Sequence, residues 1–338
     1  MAEKPSNPGS NPARHRSRFS SGRFSRRRFL SRSAAYGSGA TLGLPVLGAA
    51  ATLLAACSND EAAAPILVPM FANDRVLVSG RMQRITFGVA ASNPSLDQSQ
   101  VALPPDDDIL DVIILRDGEV AYETTVAGHV VDHDHVGNPD PDHQHANIFR
   151  YYPLRAELPE PGIYDLAITI EGHDLQLPIQ MFDPDDTSLP LVGDKFPSVV
   201  TPTVDDLAGV DRLCTRIEQC PFHATSAATA LAAGRPMALL VATPAVCQTA
   251  YCGPVLETLI AQSGAFPHIE FIHAEVYANS DEVGGNYLDP DIQVAPALQA
   301  IGLEFEPSLF LVGSDGVLVD RLDNLFDSSE LADALAAL

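Results

Sequence analysis

Between residues 74 and 182 the apolar positions recur with a period of two, in short runs bounded by Gly, Pro, Asp and Asn. This pattern predicts strands over Arg75–Ser79, Gln83–Ala90, Leu110–Arg116, Glu119–Val126, Ile148–Leu158, Ile163–Ile170 and Leu175–Phe182. Asp117-Gly118 is a hairpin signal, and Glu171-Gly172-His173-Asp174 reads as a second turn. No amphipathic helix is predicted in this stretch. From about residue 205 the period changes. Helices are expected over His223–Ala233, Pro254–Gln262, Gln293–Ile301 and Ser328–Leu338. Between them lie strand patterns at Met237–Ala242, Ile269–Val276, Ser308–Val312 and Val317–Arg321, the last two forming a hairpin around Ser314-Asp315-Gly316.

Short strands at this spacing predict an antiparallel β-sandwich of immunoglobulin-like type over 74–182. The phrase Leu158-Pro159-Glu160-Pro161-Gly162-Ile163-Tyr164 resembles the late corner of such domains, where a Pro/Gly turn feeds a strand with an aromatic near its start. Residues 183–204 are rich in Pro, Asp and Thr and read as a linker. Strands alternating with helices over 205–338 predict an α/β domain with a mixed sheet.

The first 57 residues carry a different signal. Ser25-Arg26-Arg27-Arg28-Phe29-Leu30 precedes a small-residue apolar stretch that ends in Leu54-Ala55-Ala56-Cys57. The first motif resembles a twin-arginine export signal. The second resembles a lipobox, which implies cleavage before Cys57 and lipidation of its sulfur. Residues 1–57 are therefore expected to be a signal, and 58–73 a tether. The implied location is the outer face of the cytoplasmic membrane, with the lipid as the membrane contact.

Charge separates the same two parts. Residues 1–57 hold nine Lys/Arg and one acid, whereas the remainder holds eleven Lys/Arg and 43 acids. A body this acidic lacks the clustered cations that phosphate contacts need, which excludes nucleic acid as a partner.

Apart from Cys57, the cysteines are Cys214, Cys220, Cys247 and Cys252, all beyond the sandwich. An even number in an exported chain reads as disulfides or redox thiols. Loop closure favours the local pairs. In Met237–Leu259 an apolar strand runs into Cys247-Gln-Thr-Ala-Tyr251-Cys252-Gly253-Pro254 and then a helix. Free N–H groups at a helix start favour a thiolate there, and a second Cys nearby resolves a mixed disulfide.

The order of elements over 205–338, Tyr251-Cys252-Gly253-Pro254 and Glu306-Pro307-Ser308-Leu309-Phe310 resemble the thioredoxin superfamily. The resemblance implies a catalytic Cys247/Cys252 pair, a cis Pro307 facing it and a wall from Tyr251. The spacing is Cys-x4-Cys instead of the family's Cys-x-x-Cys. Either cysteine can be aligned as the nucleophile, with Cys252 slightly favoured. Exported proteins or a redox partner are the implied substrates, and no cofactor is required. Cys214 and Cys220 are expected to form a structural disulfide, with a reservoir dithiol and a Cys-x5-Cys-x2-His metal site through His223 as alternatives.

Five histidines, His129, His133, His135, His143 and His145, lie within 17 residues and alternate with four aspartates. Imidazoles in this pattern suit copper or zinc, and His133, His135, His143 and His145 are the metal-ligand candidates. The alternative function is thus a metal-binding or adaptor lipoprotein. The chain also has some likeness to exported copper chaperones, which pair two cysteines with a distal histidine; His268 and His273 are the candidates for that role.

Overall fold

A computed structural model describes residues 65–72, 75–91, 109–133, 147–170, 172–247, 249 and 251–338. The signal, Cys57 and the loop carrying His135, His143 and His145 lie outside the described residues. Only the backbone of His133 lies within them.

Eight strands precede residue 182: β1 (Pro65–Pro69), β2 (Met82–Ala91), β3 (Ile109–Arg116), β4 (Glu119–Ala127), β5 (His129–His133), β6 (Asn147–Glu157), β7 (Gly162–Ile170) and β8 (His173–Met181). They form two antiparallel sheets, ordered β1-β2-β6-β5 and β4-β3-β7-β8. The period-two pattern sets which face is inside. Leu110, Val112 and Ile114 of β3 and Tyr164, Leu166 and Ile168 of β7 are buried, while their neighbours face outward. Tyr164 Oη donates to Glu160 O at 3.0 Å, tying β7 to the turn before it.

The third sheet contains β9 (Met237–Val241), β10 (Glu270–Ala274), β11 (Ser308–Val312) and β12 (Leu318–Asp323), in the order β10-β9-β11-β12. Only the β9–β10 pair is parallel. Every residue of β9 and β11 is buried, as expected of central strands covered on both faces. The helices are α1 (Ala227–Ala232), α2 (Cys252–Ser263), α3 (Pro296–Ile301) and α4 (Ser328–Leu335).

This inventory corrects the expected fold class, an α/β thioredoxin-like domain behind an all-β immunoglobulin-like sandwich. The described residues form three four-stranded sheets and four α-helices of 6, 12, 6 and 8 residues, so the protein is mostly β. Local chemistry shortens α1 and α3. Ser226 caps α1 by accepting from Thr229 N, which leaves His223–Thr225 outside, and Gly234 at φ 63° ends the turn. Pro296 starts α3 and Gly302 at φ 77° stops it. A six-residue helix is about 9 Å long, against about 16 Å for a five-residue strand.

Residues 183–204, expected as a linker, pack as part of the body. Leu189, Leu191, Phe196 and Val199 are buried, and the Phe196 ring lies 5.2 Å from that of Phe310. One apolar cluster runs from Ile85 and Leu154 through Leu189, Phe196 and Val199 to Leu239 and Phe310. Arg75–Ser79 makes only a bridge, Val78 to Phe182, and no strand.

Polar groups join the first sheet to α4 and β12. Arg84 on β2 and Glu330 on α4 form a bidentate pair at 2.6 and 2.8 Å, with side chains 4% and 7% exposed. Arg84 also donates to Asp323 O and Leu325 O. Tyr151 Oη donates to Glu330 at 2.8 Å and accepts from Asp327 N. Burial works against charge on Arg84, but Glu330 outweighs it and raises the guanidinium pKa. Arg155 and Asp320 make a second bidentate contact.

Nearby, His129 Nδ1 lies 2.9 Å from Asp327 Oδ2. This hydrogen bond raises the pKa of His129 against the effect of burial. Burial pushes Asp327 up, but bonds from His129, Glu330 N and Ser329 pull it down to about 2.

Glu330→Ala is expected to cost about 3–5 kcal/mol in urea unfolding, because Arg84 is left buried without its carboxylate. Replacing both partners by apolar residues of similar volume should cost much less. His129 contributes stability in full below its ordinary pKa, and that contribution is lost as pH rises through its raised folded value. Asp327 contributes above its ordinary value and loses this as pH falls towards about 2. His129→Gln should therefore flatten the loss of urea midpoint above about pH 6.5. It should also weaken the acid limb, since the His129 bond is the largest contribution lowering Asp327, leaving the part supplied by Glu330 N and Ser329.

Candidate functional site: two sulfur clusters at the end of one strand

Strand β9 leaves the sheet at Ala242 and Thr243 and leads to the cysteine loop. Cys247 and Cys252 are joined by a disulfide, with Cα atoms 6.0 Å apart. Cys252 is the first residue of α2 and fully buried, whereas Cys247 is partly exposed. No side chain caps α2 at Tyr251. Cys252 therefore stands in the first turn of α2, where the backbone N–H groups have no side-chain cap.

The sulfurs have unlike neighbours. Cys247 Sγ lies 3.3 Å from Thr249 Oγ1. Cys252 Sγ lies 3.4 Å from Glu306 Oε2, a carboxylate only 3% exposed. Glu306 accepts from Thr243 N at 3.0 Å and precedes Pro307 through a cis peptide at the start of β11. Tyr251 packs against Val131, Tyr151 and Leu325, and burial pushes its phenol up to about 12.

The second cluster contains Cys214, Cys220, His223 and His273, all buried. Cys214 and Cys220 are free cysteines, which corrects the expected disulfide between them. Cys220 Sγ lies 3.2 Å from His223 Nε2 and 3.5 Å from His273 Nδ1, and Cys214 Sγ lies 3.7 Å from the same Nδ1. Imidazole nitrogens thus share the space around each sulfur. Three members come from the irregular segment before α1, and His273 comes from β10.

His273 Nε2 lies 2.9 Å from Ala242 O and donates to it, which turns Nδ1 towards the sulfurs. A hydrogen bond between the cysteines lowers the pKa of Cys214 and raises that of Cys220. Glu275 sits behind them, fully buried, and accepts from Thr215 N and Oγ1. Burial pushes its carboxyl up to about 7.

Two groups thus place ligand atoms within 4.8 Å of one another and can hold a metal ion: the four Cys/His residues, and Cys247, Cys252 and Glu306. In the second group the sulfurs are bonded to each other, so it offers thiolates only when reduced.

Of the residues singled out from sequence, Cys247, Cys252 and Tyr251 meet here, with Pro307 beside Glu306. His273 joins the other cysteine pair, not the disulfide. His268 is exposed beside Phe266 and takes no part. Thr243, Glu275 and Glu306 were not anticipated. The signal for Glu306 was its place just before Pro307; that for His273 was a lone imidazole inside an apolar strand. No protein-family model and no curated protein matches the chain. Among the described residues no helix is long and apolar enough to cross a membrane.

Glu306→Leu is expected to leave Thr243 N buried without an acceptor. It should lower the unfolding free energy of the oxidised protein by about 1–3 kcal/mol. Glu306→Gln keeps an acceptor and should cost less. Equal losses in urea unfolding would mean that the Thr243 bond is not what Glu306 supplies.

Proposed function

We propose that this protein is a lipid-tethered, exported thiol–disulfide oxidoreductase that works through Cys247 and Cys252. The observation that carries the reading is the asymmetry of the disulfide: Cys247 is partly exposed, whereas Cys252 is fully buried at the start of α2 with its sulfur 3.4 Å from a carboxylate. The likeness of Tyr251-Cys252-Gly253-Pro254 to the thioredoxin Trp-Cys-Gly-Pro motif supports it at the level of sequence.

In the oxidising direction, a substrate thiolate attacks Cys247 Sγ along the S–S axis. The Cys247–Cys252 bond breaks, its electron pair goes to Cys252 Sγ, and a mixed disulfide forms on Cys247. The first-turn N–H groups of α2 stabilise the departing thiolate, which improves it as a leaving group. A second substrate thiolate then attacks the substrate sulfur of the mixed disulfide and releases Cys247 as a thiolate. The products are a substrate disulfide and the reduced protein pair, so two electrons pass to the protein. The reverse sequence reduces a substrate disulfide. A proton set free when the substrate thiols ionise is then taken up by the Cys252 thiolate, and Glu306 Oε2, 3.4 Å away, accepts the resulting S–H. Exported proteins or a redox partner supply the dithiol, and lipidation at Cys57 keeps the domain at the outer face of the membrane. This sequence of steps uses no metal.

The test is oxidation of a dithiol peptide with glutathione disulfide as terminal oxidant. Wild type should turn over, while Cys247→Ser and Cys252→Ser should both fall to background. Cys252→Ser should still trap the peptide as a mixed disulfide through Cys247, and Cys247→Ser should not. Turnover retained in both variants, or trapping through Cys252 alone, rejects the mechanism.

A further inference from the structure

We infer that Cys214, Cys220, His223 and His273 bind one zinc ion in a closed tetrahedral site. The proposal is independent of exchange at Cys247 and Cys252, since the two clusters share no ligand.

Distances are the first argument. With Zn–S of about 2.3 Å and Zn–N of about 2.05 Å, tetrahedral ligands lie about 3.6 Å apart, sulfur to nitrogen. The three observed separations are 3.2, 3.5 and 3.7 Å. Donor chemistry is the second. Two sulfurs and two imidazole nitrogens in tetrahedral array suit zinc. A zinc dication with two thiolates and two neutral imidazoles is neutral overall, which a dry interior tolerates.

The surroundings are the third. Ala242 O fixes the ring of His273 with its Nδ1 towards the sulfurs, the usual outer support of a ligating histidine. That one nitrogen is shared by two sulfurs, at 3.5 and 3.7 Å. All four residues are at most 5% exposed, which leaves no open position for substrate and no route for a partner thiol. This argues against a reservoir dithiol.

The site also answers a problem of chain organisation. Residues 187–226 contain no helix or strand. Irregular stretches beyond about 12–15 residues are uncommon in a compact body unless something holds them. Three ligands from this segment and one from β10 would fasten it to the third sheet.

The test uses the full chain purified under reductant, with metal content measured by mass spectrometry. The expected result is one zinc per chain, in wild type and equally in Cys247→Ser/Cys252→Ser. Cys214→Ser/Cys220→Ser and His273→Gln should lose it. Because these last variants can fail to fold, wild type stripped of metal is also titrated with Co(II). Intense visible bands of a tetrahedral thiolate complex should appear and be bleached by Zn(II). A Cys214–Cys220 disulfide in the freshly isolated protein overturns the proposal. So does alkylation of both thiols in folded, zinc-supplemented protein, or uptake of Cu(I) with refusal of Zn(II).

Discussion

Two residues at the carboxyl end of β9 hold both sulfur clusters in place. Ala242 O fixes His273, and Ala242 N donates to Ala274 O, continuing the parallel pairing with β10. Thr243 N donates to Glu306, and Thr243 Oγ1 accepts from Val276 N at 2.8 Å. Ala242 and Thr243 are both fully buried, so none of these groups can turn to water instead. The exit of β9 is thereby bonded to β10 and its continuation on one side and to the approach to β11 on the other. A displacement there would misplace an imidazole of one cluster and the carboxylate of the other together.

The first two sheets make that exit rigid from a distance. Arg84, Tyr151 and Arg155 reach from β2 and β6 to Glu330, Asp327 and Asp320, so α4 and β12 are fastened to the sandwich by charge-assisted bonds. Buried ionic contacts are a poor source of net stability but are costly to break singly. Their consequence is definite register. Arg84 meets Asp323 O, Leu325 O and Glu330 together in one arrangement only, and Tyr151 Oη must both donate to Glu330 and accept from Asp327 N. Tyr251, beside Cys252, packs against the same Tyr151. The sandwich is thus mechanically part of the dithiol's surroundings although it supplies no reacting atom.

Local pattern carried the strands well because burial on one face follows from neighbours two residues apart. Ser308–Val312 lies where its apolar run puts it; β3, β4 and β7 differ from expectation by one residue at one end, and β2 and β6 by one residue at each end. Two strands escaped detection. Pro65 and Pro69 bound β1, which tolerates them because it is an edge strand, and β5 reads His-Val-Val-Asp-His, too polar to stand out. Three helices were overread, with starting points that depend on Ser226 for α1 and Pro296 for α3, whereas α2 extends past the expected Pro254–Gln262 at both ends. The fold class followed the helices into error. At the sites, the Cys247–Cys252 pairing was legible because it is local. The pairing of Cys214 with Cys220 was misjudged by the same reasoning: loop closure counts the chain between two sulfurs and knows nothing of an imidazole arriving from residue 273. That contact exists only once β9 and β10 pair, a non-local event that no window over 205–225 contains.

Two cysteine pairs at similar short spacing are therefore assigned opposite chemistry by what surrounds them. Exchange needs a third sulfur to approach in line with the S–S bond, and Cys247 is the partly exposed residue of its pair. Coordination needs the reverse: lone pairs converging on one point, with no gap wide enough for a competing thiol. Cys214 and Cys220 are sealed and faced by nitrogen, while Cys252 is sealed at the start of α2 and faced by a carboxylate. Nitrogen donors favour an ion that stays; free N–H groups favour a sulfur that leaves with its electrons. The distinction lies in the accessibility of a single atom and the identity of its nearest polar neighbour, and neither quantity is encoded in the spacing between cysteines.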